Sequence, residues 1–287
     1  LIKARENPQT DIIFTGCVFE SIEAAEDNGG AVSVDKEISV VIRKTMFVLC
    51  SSAREGGSVF MSNANASLSC VEFIRSHTRT TVDNIGGNAF SFFDTELRMN
   101  DFVVSESWTD THSGDSVHHI SRGRYEVKRY NITDSTEGNH GGAGGDFWYP
   151  NSNSFASFAN LVNNGGDSCF VSGGSGYFFS ERLNIANNTR VAIHFIYATS
   201  TLTEFKECCL FKATSHPDNG TYAMVNCLTN YAHEGATVTE TSFRPFAFNW
   251  NCPFERSHLF TKQKQIKGTK VLKTVITLTL PVAVSTP

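Results

Sequence analysis

Histidines and carboxylates offer the most chemistry in this 287-residue chain, and they gather in its middle. His112, His118 and His119 lie close together, with Asp110 and Asp115 beside them and His140 21 residues beyond His119. Imidazoles and carboxylates that converge at short range can hold zinc. His118 and His119 are adjacent, however, so in a strand their side chains leave on opposite faces and only one of them can join such a site. The plainer expectation is a set of solvated or structurally satisfied histidines with no metal and no cofactor. Asp115, Asp146 and Asp167 each follow a glycine. If stacked on neighbouring turns they could protonate a glycosidic oxygen and activate water. Aspartates at corners also cap local N–H groups, which needs no catalysis. The polygalacturonase-type signatures Asn-Thr-Asp, Asp-Asp, Gly-His-Gly and Arg-Ile-Lys are missing, and no Gly-x-Ser-x-Gly elbow presents a nucleophilic serine. These residues therefore point to a protein without a catalytic centre, with a polysaccharide-acting enzyme as the rival.

Composition narrows the classes further. With 24 Lys+Arg against 29 Asp+Glu the net charge is −5, which disfavours a nucleic-acid groove or a polybasic membrane patch. Hydrophobic residues make up 40% and aromatics 11%, enough to bury a core and exclude disorder. No run of 18 apolar residues spans a membrane. The 23 Phe outnumber the 7 Tyr and 3 Trp together, so the interior wants rings without polar handles. The chain opens at Leu1 with no Met and no hydrophobic leader, as expected of a processed or truncated piece. Four Asn-x-Ser/Thr sequons, at Asn65, Asn131, Asn187 and Asn219, are candidate glycosylation sites. The 8 Cys include no Cys-x-x-Cys pair. Buried thiols are the first reading, and Cys208, Cys209, Cys227 and Cys252 are the candidate disulfide cysteines.

The elements that would position these residues form a repeat. Glycine pairs stand at Gly29-Gly30, Gly56-Gly57, Gly86-Gly87, Gly141-Gly142 and Gly165-Gly166, with Gly114-Asp115 as a degenerate form. They alternate with short strands that end in a small polar residue, such as Phe47 to Ser51, Val71 to Ser76 and Ala159 to Asn163. From Gly29 to Gly165 the pairs lie 27, 30, 28, 27 and 24 residues apart. A period in the twenties, built of short alternating strands with Gly at the corners, predicts an all-β, parallel β-helix in which each coil pairs its backbone with the next. Glycine suits the corners because it tolerates positive φ and close backbone approach.

A glycine pair followed by a small and an aliphatic residue, as in Gly29-Gly30-Ala31-Val32, alternates with Phe-x-x-Asn, as in Phe60 to Asn63 and Phe246 to Asn249. This resembles the polymorphic outer membrane protein repeat and similar repeats on surface proteins of trichomonad protists, from about Cys17 to about Phe246. The resemblance implies a right-handed, pectin-lyase-like β-solenoid on a cell surface, used in adhesion or as a stalk. The resulting expectation is one domain over residues 1–252 with eight to nine coils. An aromatic cap follows at 243–254, and a basic linker with an extended strand or stalk occupies 255–287. A short polar cap is expected over the first ten residues. The expected partners are other copies of the chain, other surface proteins, or glycans of a host surface. No nucleic acid is expected, and any membrane anchor would lie outside this segment.

Overall fold

The computed structural model describes residues 2–4, 11–79, 87–109, 116–136, 145–151, 153–166, 170–173, 176–186, 188, 196–198, 201–210, 215–216, 221–229 and 236–240. Every regular element among them is a strand, and every strand pair is parallel. The chain divides into two units, residues 1–252 and 253–287. The expected cap at 243–254 and the linker and strand at 255–287 lie outside the described residues.

The parallel ladders establish a β-solenoid. Val32–Asp35 pairs with Val59–Ser62, which pairs with residues 90–93, and those pair with 118–121. A second stack runs from Ile12–Thr15 through Ser39–Val48 and Asn65–Ile74 into Gly87–Ser105. A short third stack joins Glu23–Ala24, Ser51–Ser52, His77–Thr78 and Trp108–Thr109. Among the described residues about five turns are complete, against the eight or nine expected. Among the described residues the third stack is traced as far as an isolated Thr136–Gly165 bridge, while the longer stacks continue. Within the expected N-terminal cap, Ile2–Ala4 is a strand paired with Val32–Val34, and residues 1 and 5–10 lie outside the described residues.

Alternation sends every second side chain inward, and the large inward groups are rings. Phe14, Phe19, Phe47, Phe73, Phe90, His118, Phe147 and Phe178 form a continuous column with centroid separations between 4.8 and 5.5 Å. Phe19, Phe47 and Phe73 are register partners one strand spacing apart, as are Phe90 and His118, while the other contacts join rings at neighbouring positions, so apolar area is buried and ring contacts form together.

The corners use glycine less than expected. Gly29 and Gly56 adopt φ of 67° and 63°, and a Cβ on Gly57 would fall on the Asn88 carbonyl oxygen. Gly30 and Gly87 are held by similar approaches, and Gly165 donates its N–H to the Ser135 carbonyl. Gly166 is also described, whereas Gly86, Gly141 and Gly142 lie outside the described residues. Most left-handed corners are built from other residues. Ser21, Leu49, Arg75, Glu106, Asp134 and Asn163 form one such series, and Lys44, Cys70, Asp101, Arg129, Phe158, Arg182 and Glu207 form another, all with φ between 47° and 59°.

Candidate functional site

The strand Ser116–Thr133 presents His118 and His119 to different surroundings, as adjacency requires. His118 is fully buried in the ring column, between Phe90 and Phe147, and neither ring nitrogen has a hydrogen-bond partner. Burial holds its pKa down to about 3, so it is a neutral core imidazole.

His119 leaves on the outer side of the same strand and meets Asp146, its cross-coil partner. Its Nδ1 lies 2.6 Å from Asp146 Oδ2. Ser116 Oγ donates to the same oxygen at 2.6 Å, and Trp148 Nε1 donates to Oδ1. Asp146 and His119 have side chains only 2% and 3% exposed, although they lie on the outward side of the sheet. With Nδ1–H donated to the carboxylate, the neutral tautomer carries its lone pair on Nε2, as in a base steadied by an acid. Phe93 packs against the imidazole at 5.0 Å. Glu55 lies within electrostatic range of His119, and burial raises its carboxyl pKa. Tyr125, whose hydroxyl donates to the Trp148 carbonyl, is raised by burial and by the Asp146 charge.

This cluster uses two of the residues picked from the sequence, Asp146 and His119, in a pairing not foreseen. His112, His140, Asp110, Asp115 and Asp167 lie outside the described residues. Among the described residues no three His, Cys, Asp or Glu side chains converge as metal ligands. Ser116 and Trp148 carried no motif and were missed. Their signal was register: His119 aligns with Asp146 because residue 120 pairs with residue 147.

Of the two cysteine readings, the structure agrees with buried thiols at Cys208, Cys209 and Cys227 and not with disulfides there. Cys208, Cys209 and Cys227 are free thiols, as are Cys17 and Cys50. Cys208 and Cys227 are neighbours in the interior. Their thiols donate to the Lys206 carbonyl at 3.3 Å and the Val225 carbonyl at 3.5 Å. Burial pushes Cys208 up, and Cys209 to about 11, so both remain protonated. Among the described residues the disulfide-bonded cysteine is Cys70. Cys252 lies outside the described residues.

Of the sequons, Asn65 is exposed at the start of its strand. It borders a shallow depression with Glu96, Leu97, Arg98, Arg124 and Glu126. Asn131 is tied into an outer amide ladder, accepting from Asn160 at 2.9 Å, while Asn160 accepts from Asn184 at 2.8 Å. Asn187 and Asn219 lie outside the described residues. No protein-family model matches the chain, and no curated protein matches it.

Proposed function

We propose that the chain is a non-enzymatic, extracellular or cell-surface β-solenoid that serves as a structural unit of a surface filament, in contact with other copies of itself or other surface proteins. The observation that carries this reading is the state of the first coil. Among the described residues, Ile12–Thr15 and Val18–Glu20 pair only with Ser39–Val48, leaving their other edge open. Ile13 is 60% exposed and Val18 40% exposed beside that edge. Free N–H and C=O groups flanked by apolar side chains form a template for a strand of another molecule. The disulfide at Cys70 fits an oxidising compartment. The test is light scattering over a concentration series with the full chain and the Ile13→Lys, Val18→Lys double variant. Association that grows with concentration and is lost in the variant supports the reading. A chain that stays a single molecule throughout contradicts it.

A second reading, a polysaccharide-acting β-helix enzyme, is favoured by the buried Asp146–His119 pair. Incubation with uronic-acid and neutral polysaccharides tests it: product formation that disappears in Asp146→Asn would replace the filament reading. An adhesin that uses the Arg98, Arg124 and Glu126 depression predicts glycan or host-surface binding by the unassociated chain.

A further inference from the structure

We propose that Asn65 carries an N-linked glycan and that the second described sequon, Asn131, does not. The modification rests on the extracellular reading above, because sugar reaches Asn-x-Ser/Thr sequons on secreted chains. Sequence alone ranks the two sites equally, and coil register separates them.

Asn65 opens the strand Asn65–Ile74, where alternation sends Ala66 and Leu68 into the core, each 1% exposed. The first and third residues of the sequon, Asn65 and Ser67, therefore leave together on the outer face. Asn65 is exposed, and its side-chain amide has no hydrogen-bond partner among the described residues. On the coils that follow, Glu96 and Arg124 continue the column of Asn65, while Arg98 and Glu126 continue that of Ser67. Arg98 lies 3.9 Å and Arg124 2.8 Å from the Glu126 carboxylate. The two arginine side chains are nevertheless 66% and 46% exposed, and they border the shallow depression beside Asn65. A first sugar on Asn65 Nδ2 meets that opening, where guanidinium N–H groups not used by Glu126 can donate to its hydroxyls. No core side chain and no ladder hydrogen bond has to give way.

Asn131 has the same sequon and the opposite surroundings. It is half-buried, and its Oδ1 accepts from Asn160 Nδ2 at 2.9 Å, as Asn160 Oδ1 accepts from Asn184 Nδ2 at 2.8 Å. Each amide in this ladder thus turns its oxygen to the following coil and its nitrogen to the preceding one. The Asn131 nitrogen faces Val103, its register partner, which is only 9% exposed. A sugar on that nitrogen would have to enter a covered face, or turn the amide and break the ladder.

The sugar arrives as an oligosaccharide on a lipid diphosphate. The bond from its anomeric carbon to the diphosphate oxygen breaks, a bond from that carbon to Asn65 Nδ2 forms, the amide gives up one proton and the lipid diphosphate departs. Asn65 stands two inter-strand steps, roughly 10 Å, from the open edge at Ile12–Thr15. A glycan there projects from the lateral face and leaves the backbone of that edge free to pair.

The test is a glycopeptide map of the full chain, led into the secretory route of a eukaryotic host by a fused signal segment. Enzymatic release of N-glycans in heavy-oxygen water converts each modified asparagine to labelled aspartate. The expected result is a labelled Asn65 peptide and an unlabelled Asn131 peptide, with Asn65→Gln lighter by one glycan and Asn131→Gln unchanged in glycan mass. An unlabelled Asn65 or a labelled Asn131 in the folded, secreted chain overturns the proposal and leaves the extracellular reading untouched. That reading fails separately, if the chain without the fused signal stays inside its cell of origin.

Discussion

His118 and His119 share a strand and almost nothing else. His118 sits among rings with no polar partner, and His119 donates into a carboxylate that two further donors hold. The difference shows how the solenoid assigns roles. Inward positions stack by shape and apolar area, and a polar group there is tolerated only in its neutral form. Outward positions are free to carry charge, and they do so in pairs that run along the axis: Arg75 with Glu106 at 2.6 Å, Arg129 with Asp101 at 2.6 Å and Arg182 with Glu207 at 2.8 Å. Asp146 and His119 combine both conditions, since they lie on the outer side and are buried.

Substitutions that reach into the column should break this contrast most strongly. Phe73→Ala removes a ring stacked between Phe47 and Phe90 and should cost about 3–5 kcal/mol in chemical denaturation. Truncating the buried acid, Asp146→Ala, strands the donors of Ser116, His119 and Trp148 and should cost about 3 kcal/mol, measured the same way.

Acid should separate the two histidines. The folded-state pKa of His118, about 3, lies below its ordinary 6.5, so it adds no pH-dependent penalty above pH 6.5 and destabilises progressively as pH falls towards 3. At pH 4.5 the loss from this group should be about 3 kcal/mol, and His118→Phe, which completes the column with a ring, should abolish that share. Comparing the chain and the variant at pH 7.5 and 4.5 isolates it from other titrations. The smallest effect belongs to the corners. Arg129→Ala opens a pair that is partly exposed to solvent and should cost under about 1 kcal/mol, shrinking further in high salt.

The inner half of this arrangement was legible in the sequence. The Phe excess and the alternation around the glycine pairs predicted stacked rings in a parallel β-helix, and adjacency alone placed His118 and His119 on opposite faces. The outer half was not. Left-handed corners at Leu49, Arg75 or Phe158 have no residue signature, because coil stacking imposes a conformation that those side chains seldom choose alone. The Asp146–His119 contact depends on register between coils whose connecting segments vary in length, and no local pattern specifies it.

The most direct test of the division between inner and outer faces is an NMR pH titration of labelled imidazoles, with His118 and His119 assigned through single substitutions. His118 should stay neutral and unshifted from pH 8 down to the onset of acid unfolding, while the Nδ1–H of His119 shows a strong hydrogen bond that Asp146→Asn weakens. A His118 resonance that titrates near pH 6.5 would place it in water and contradict the ring column.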